Sequence, residues 1–189
     1  MIIIRFSLFS ASRSINVHIE TTDNVRLGAW LVLPPSKSKY SPFDGPPSAD
    51  EITGSISNKP TILFFHGNAA TRAVPFRVQY CSTYATRLNA NVLAIDYRGF
   101  GDSEGSPSEI GLIADARAAW DWTVRHGARP EDILLVGVSL GTGVISGLGA
   151  QLAKEGKSSK DGFKQQQNNF SALQMFTPKA LFYFRHSLL

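Results

Sequence analysis

The 189-residue sequence contains one cysteine, Cys81, so no disulfide can form within the chain. It also lacks a long hydrophobic run. Residues 1–9 are mostly apolar, but this stretch is short and is interrupted by Arg5. A membrane-spanning helix needs about 20 apolar residues, and a secretory signal carries its charge before the apolar run. We therefore expect a flexible amino terminus, residues 1–14, and an intracellular protein that is cytoplasmic or in peripheral contact with membranes.

Motifs that bind metals, nucleotides or nucleic acids are missing as well. There is no Cys-x-x-Cys, His-Glu-x-x-His or Gly-Lys-Ser/Thr pattern, and the glycines of residues 99–105 and 141–147 miss the dinucleotide-binding spacing. The net charge of +4 arises largely in the tail, where no basic stripe is interleaved with aromatic residues. What remains is a globular composition, with 43% hydrophobic and 18% charged residues.

The sequence does contain an alternation of strand and helix patterns. Unbroken apolar runs predict buried strands at residues 61–65, 91–95 and 133–136. Helical patterns cover residues 75–88, the segment that follows a predicted cap at Ser106, and residues 142–154. Two earlier strands, residues 15–20 and 26–33, flank a turn. Because parallel strands need crossover helices, we predict an α/β fold whose mostly parallel sheet begins with an antiparallel pair.

Two segments differ in composition from this alternating region. Residues 34–60 are rich in Pro, Ser, Gly and Asp and show no periodicity, which predicts a mobile surface loop. Residues 157–189 begin as a polar, low-complexity run, and we interpret them as a divergent or inserted tail. Residues 179–184 in that tail are the candidate sixth strand, where the sheet would end. The predicted domain therefore spans residues 15–156.

A Gly-x-Ser-x-Gly pattern at residues 137–141 lies between a predicted strand and a predicted helix. A serine on such a tight turn presents its hydroxyl clear of the sheet, and the helix that follows directs its free N–H groups toward developing negative charge. Gly137 and Gly141 are expected because side chains there would collide with the neighbouring strand and helix. The pattern therefore predicts that Ser139 is a nucleophile.

Two polar segments follow the other buried strands. His66-Gly67-Asn68 comes after the strand at residues 61–65, and Asp96-Tyr97-Arg98 comes after the strand at residues 91–95. Sites in parallel sheets lie at the carboxyl ends of the strands. We therefore expect both segments to converge with Ser139 in one region.

Three motifs in this order resemble the α/β-hydrolase family. They are His-Gly-Asn-Ala at residues 66–69, Asp-Tyr-Arg-Gly-Phe-Gly-Asp-Ser at residues 96–103, and Gly-Val-Ser-Leu-Gly at residues 137–141. Within the family, the sequence is most similar to the monoacylglycerol and lysophosphatidylserine lipase group. The resemblance covers about residues 15–156, roughly the first half of the family fold. It implies a serine hydrolase that acts on carboxylic esters or thioesters of lipids, without a cofactor.

The resemblance also implies roles for individual residues. Ser139 corresponds to the nucleophile, and the backbone N–H groups of Leu140 and Asn68 correspond to the oxyanion hole. In the family the catalytic histidine follows the nucleophile in the chain, so His66 is expected to bond loop backbone instead. Gly67 and Asp96 are expected to support the site, and Asp96 and Asp102 to bond turn backbone.

The acid and the histidine of a catalytic triad are not identified by the sequence. After Ser139 the acids are Glu155 and Asp161, and the histidine is His186. None lies at the position that the family pattern requires, so Asp161 and His186 are weak candidates. We expect a catalytically incomplete chain, either a fragment or an incorrectly predicted gene product. The alternative is a non-catalytic α/β-hydrolase-like module that binds an acyl ligand or a partner.

Overall fold

The computed structural model describes residues 13–35, 48–158 and 172–175. The described strands are β1 (Arg13–Glu20), β2 (Arg26–Leu33), β3 (Thr61–Phe65), β4 (Asn91–Ile95), β5 (Ile133–Val138) and β6 (Ala172–Met175). The helices are α1 (Ala49–Asn58), α2 (Pro75–Arg87), α3 (Glu109–Arg125) and α4 (Leu140–Ser158), with a short 3₁₀ turn at Pro130–Asp132. Strands β3, β4 and β5 lie within a residue or two of their predicted bounds, because each is a short apolar run ended by a polar or glycine residue.

The described strands form one mixed sheet in the order β1-β2-β4-β3-β5-β6. The pairs β1–β2 and β2–β4 are antiparallel, whereas β4–β3, β3–β5 and β5–β6 are parallel. This arrangement confirms the predicted α/β fold with an antiparallel pair at its start. The carboxyl ends of β3, β4 and β5 meet at one edge of the sheet, where polar segments follow all three strands.

Both faces of the sheet are covered by helices. Ile62 and Phe64 of β3 belong to a core that includes Cys81 and Ala85 of α2. The alternate β3 side chains, Leu63 and Phe65, belong to the core on the other face, which includes residues of α1, α3 and α4. Burial on both faces is why these strands have no polar alternation in sequence.

The prediction of a loop across residues 34–60 is wrong for residues 49–58, which form α1. Ser48 Oγ accepts a hydrogen bond from Glu51 N at 3.2 Å, and Glu51 Oε2 accepts one from Ser48 N at 2.7 Å. This capping box, together with buried Ile56, stabilises a helix in a composition that otherwise favours a loop. Residues 36–47 lie outside the described residues.

Other boundaries also differ from the predictions. Helix α3 is capped by Ser108 rather than Ser106, because Ser108 is extended and its hydroxyl accepts from Gly111 N. Strand β1 begins at Arg13, within the predicted flexible terminus. A sixth strand lies at residues 172–175, inside the segment interpreted as an insertion. The candidate strand at residues 179–184 lies outside the described residues. Among the described helices, none has the length and apolar character needed to cross a bilayer.

Candidate active site

Ser139 is the single residue between the end of β5 and the start of α4. Its φ angle is +50°, in the left-handed region where a residue other than glycine is strained. The turn is closed by Thr142, whose backbone N–H and hydroxyl both donate to Ser139 O, at 2.9 and 2.6 Å. The Ser139 side chain is exposed, and its hydroxyl makes no hydrogen bond within the described part of the chain. The backbone therefore holds this hydroxyl clear of the sheet and ahead of a helix amino terminus.

Glycines allow the turn to pack directly against β3 and α4. A Cβ placed on Gly141 would lie 2.2 Å from Phe65 O, and one placed on Gly137 would lie 2.4 Å from Gly141 O. Gly67 faces Ser139 from the opposite side, with 3.4 Å between a built Cβ and Ser139 Cβ. The backbones of β3, β5 and α4 thus approach one another more closely than side chains would permit.

Two backbone N–H groups near Ser139 are available to a ligand. Leu140 is the first residue of α4, and N–H groups in the first turn of a helix have no partner within that helix. The N–H of Asn68 donates no hydrogen bond to the described residues, although the Asn68 side chain accepts one from Ala69 N at 2.9 Å. The loop then continues through Ala69 and Ala70 with φ of +64° and +56°.

A cavity of 240 Å³ opens beside Ser139. Its walls come from β3, the loop after it, α2 and the end of β5, and consist of Phe64, Gly67, Asn68, Phe76, Arg77, Tyr80, Val138 and Ser139. The lining is largely apolar and aromatic, with polar groups concentrated at the serine and at the loop. Such a cavity can hold a small apolar group next to a reactive atom.

His66 is fully buried, and it bonds loop backbone. Its Nδ1 lies 2.7 Å from Gly67 O, and because a carbonyl oxygen only accepts, this bond requires the proton on Nδ1. Its Nε2 lies 3.3 Å from Asp96 Oδ1 without forming a hydrogen bond. The ring also packs against Tyr97, whose hydroxyl donates to His66 O at 2.9 Å. His66 is therefore fixed by its surroundings, and within the described residues it forms no hydrogen bond with the Ser139 hydroxyl.

The guanidinium of Arg77 extends from α2 into the same loop. It donates to three backbone carbonyls: Gly67 O at 3.2 Å, Ala69 O at 3.0 Å and Thr71 O at 2.9 Å. Burial lowers the pKa of Arg77, although the nearby Asp96 carboxylate acts in the opposite direction. Sequence reasoning missed this residue. The signal was present, because Arg77 is spaced four and eight residues from Cys81 and Ala85, on the buried stripe of α2.

Behind the loop, Arg72 joins two carboxylates. Asp96 accepts from the Arg72 backbone N–H at 2.6 Å, as expected for a residue that bonds turn backbone, and also from its guanidinium. Asp102 accepts from the Arg72 guanidinium at 2.6 and 3.0 Å. The hydrogen bond from Arg72 lowers the pKa of Asp102, and both carboxylates overcome burial to raise the pKa of Arg72.

The structure therefore brings together most of the residues that the sequence singled out. Ser139, Gly67 and Asn68 line one cavity, and Leu140 directly follows Ser139 at the start of α4. His66 and Asp96 lie behind the loop, where His66 bonds Gly67 O. Asp161 and His186 lie outside the described residues. Within the described ranges, no histidine or carboxylate is hydrogen-bonded to Ser139.

Comparisons with known proteins identify the family of the chain. A sequence profile of the alpha/beta hydrolase family matches residues 62–162. The lysophosphatidylserine lipase ABHD12 of Danio rerio is 34% identical over 142 residues, which is 75% of this chain and 36% of that protein. Human protein ABHD12B is 33% identical over 144 residues, which is 76% of this chain and 38% of that protein. The chain thus spans little more than a third of the length of these relatives.

Solved structures show the same fold. The esterase Pf2001 of Pyrococcus furiosus superimposes with a TM-score of 0.53 over 93% of this chain and 77% of the esterase. The sequence identity is 19%, so this likeness concerns the fold alone.

Proposed function

Since the chain belongs to the alpha/beta hydrolase family, we propose that it carries the nucleophile half of an ester hydrolase site, with Ser139 as the nucleophile. The observation that carries the proposal is the strained, exposed Ser139 between β5 and α4. A strained strand-to-helix turn of this kind presents a serine hydroxyl to a substrate at the carboxyl edge of the sheet. The relative named as a lysophosphatidylserine lipase supports a substrate class of carboxylic esters or thioesters, such as acylglycerols or lysophospholipids.

The proposed reaction proceeds by acyl transfer. Ser139 Oγ attacks the acyl carbonyl carbon, and the carbonyl oxygen becomes an oxyanion that accepts hydrogen bonds from the N–H groups of Leu140 and Asn68. The C–O bond of the ester then breaks, and the alcohol leaves with a proton. Water subsequently attacks the acyl-serine and releases the acid. Each oxyanion donor is worth about 3–4 kcal/mol in well-studied hydrolases.

The serine also needs a base to take its proton and a carboxylate to orient that base. Among the described residues, His66 begins the loop that carries Asn68, which makes it the first histidine to consider as the base. Its Nδ1 is bonded to Gly67 O, however, and its Nε2 faces Asp96. Asp161 and His186 remain weak candidates on sequence grounds. We therefore propose that residues 1–189 hydrolyse esters slowly, because an unassisted site retains only about 10³–10⁴-fold catalysis over water.

Hydrolysis of para-nitrophenyl butyrate and of a monoacylglycerol by the full 189-residue chain tests this proposal. We expect a rate above that of buffer but far below ordinary enzyme rates of about 1–10³ s⁻¹. This residual rate comes from the oxyanion hole and from binding, so Ser139→Ala should retain it, as should Ser146→Ala, two turns further along α4. Any rate above this residual level that Ser139→Ala loses and Ser146→Ala keeps comes from Ser139 as nucleophile. Turnover at ordinary rates would show that a base is present, and replacing His186, Asp161 and His66 in turn would identify it.

A hydrolysis rate equal to that of buffer would contradict the proposal. In that case, binding of a fatty acid in the cavity would favour the alternative, a non-catalytic module that binds an acyl ligand. The lack of a base hydrogen-bonded to Ser139 in the described part of the chain is the observation that keeps this alternative open.

A further inference from the structure

Arg77 is a buried cation beside the candidate active site. Its side chain projects from the inner face of α2, the residue is 6% exposed, and within the described ranges it forms no ion pair. A buried charge without a counter-ion is costly unless hydrogen bonds satisfy it. The hydrogen bonds that satisfy Arg77 all go to one loop, the one that carries Asn68.

This loop has a conformation that needs external support. Ala69 and Ala70 both have positive φ, which is unfavourable for alanine and persists only where surrounding contacts impose it. The carbonyls that Arg77 binds, those of Gly67, Ala69 and Thr71, come from alternate residues across this strained stretch. A planar guanidinium with five N–H groups suits such a contact, because it can donate in several fixed directions at once.

The contact with Gly67 O bears directly on the proposed reaction. Gly67 C=O and Asn68 N–H belong to the same planar peptide group and point in opposite directions. Fixing the carbonyl therefore fixes the direction of the N–H. The carbonyl is held from two sides, by Arg77 Nη2 at 3.2 Å and by His66 Nδ1 at 2.7 Å.

We propose that Arg77 is a positioning residue that holds the Gly67–Asn68 peptide so that the Asn68 N–H faces the cavity beside Ser139. The positively charged Arg77 guanidinium that donates to Gly67 O also polarises this peptide, which makes the Asn68 N–H a stronger donor to a developing oxyanion. The inference rests on the proposed function, in which Asn68 N–H belongs to the oxyanion hole. It gives α2, which also lines the cavity, a role in orienting the Asn68 N–H.

The kinetic test compares Arg77→Met with Arg87→Met in the full chain. Arg87 is exposed in the last turn of the same helix, so it controls for loss of an arginine from α2. For para-nitrophenyl butyrate we expect Arg77→Met to lower kcat about ten- to a hundredfold with little change in KM, because a misplaced donor weakens transition-state binding. Arg87→Met should keep the parent kcat.

A role in folding alone would change the folded fraction but not kcat per folded molecule, so kcat is corrected for the folded fraction measured by circular dichroism. Arg77→Lys is the second variant and carries the test if Arg77→Met does not fold. Lysine keeps the charge but loses the fork of donors, so the kcat of Arg77→Lys should lie between that of Arg77→Met and that of the parent. A corrected kcat equal to that of the parent in a folded Arg77 variant would overturn the proposal.

A spectroscopic readout separates this inference from the proposed function. The amide nitrogen of Asn68 shares its electrons with the Gly67 carbonyl, so loss of the Arg77 hydrogen bond should shift the Asn68 amide resonance in an NMR spectrum. Arg87→Met should leave that resonance in place. If the parent chain does not hydrolyse esters, the proposed function fails, and the resonance still decides whether Arg77 holds the peptide. An unmoved Asn68 resonance in Arg77→Met would contradict the inference.

Discussion

The backbone of Gly141 lies so close to Phe65 that a Cβ on the glycine would be 2.2 Å from the Phe65 carbonyl oxygen. This contact joins the first turn of α4, which begins with Leu140, to the end of β3, which leads into the loop that carries Asn68. Gly143, one residue beyond Thr142 in α4, has open space where its Cβ would be. The two glycines therefore differ in packing although they belong to the same helix.

We predict opposite effects for the same substitution at these glycines. Gly141→Ala should lower the free energy of unfolding by about 1–3 kcal/mol, since the backbone of β3 must move, and Gly141→Val should cost at least as much. Gly143→Ala should be neutral or stabilise by up to about 1 kcal/mol, because alanine favours helix. Urea unfolding of both variants measures this difference. Equal midpoints for Gly141→Ala and Gly143→Ala would contradict the close packing at Phe65.

Arg72 should contribute strongly to stability. It is buried and binds two carboxylates, and its guanidinium also lies 5.0 Å from the ring centroid of Trp30. Replacement by methionine leaves Asp96 buried without that cation, so Arg72→Met should lower the free energy of unfolding by about 3–5 kcal/mol. The matched control is Arg87→Met, for which denaturant unfolding should give the parent value. A loss below about 1 kcal/mol in Arg72→Met would place this cluster among weak surface ion pairs.

Cys81 should make stability fall at alkaline pH. Burial raises the pKa of its thiol from 9.0 to about 12. Between these values the unfolded chain loses a proton that the folded chain keeps, so the unfolded state binds fewer protons and stability falls as pH rises, by up to about 1.4 kcal/mol per pH unit. Below pH 9 the thiol is protonated in both states and contributes no pH dependence.

The check is the thermal midpoint of the parent and of Cys81→Ala between pH 8 and pH 11. Burial also raises the pKa of Tyr84 to about 12, and the neighbouring Cys81 adds to that rise, so Tyr84 contributes to both curves and somewhat less steeply to that of Cys81→Ala. The parent should lose stability more steeply than Cys81→Ala above pH 9. Parallel curves would show that the Cys81 thiol ionises as readily in the folded chain as in the unfolded chain.

The sequence predicted those parts of the molecule that depend on local pattern. β3 and β4 are apolar runs with polar ends, and both were located to the residue. The convergence of residues 66–68 with Ser139 followed from a general property of parallel sheets. Helix α1 was missed because its composition favours a loop, and its capping box at Ser48 and Glu51 was not recognised.

Other features depend on contacts between distant parts of the chain. Arg77 binds carbonyls six to ten residues earlier, and Arg72 binds carboxylates 24 and 30 residues later. No local pattern encodes which carbonyl or carboxylate each arginine meets. The spacing of Arg77 from Cys81 and Ala85 on α2 is nevertheless a sign of a buried charged residue with a specific set of partners, and sequence reasoning missed it.

The central claim is that Ser139 is a nucleophile, and covalent labelling tests it most directly. The full chain is incubated with a fluorophosphonate, and the modified residue is identified by peptide mass mapping, with Ser139→Ala and Ser146→Ala treated in parallel. A single modification needs only one turnover, so even a slow site is recorded. We predict that the parent and Ser146→Ala are modified once, at Ser139, and that Ser139→Ala is not modified. An unmodified parent chain, or equal modification of Ser139→Ala, would contradict the claim.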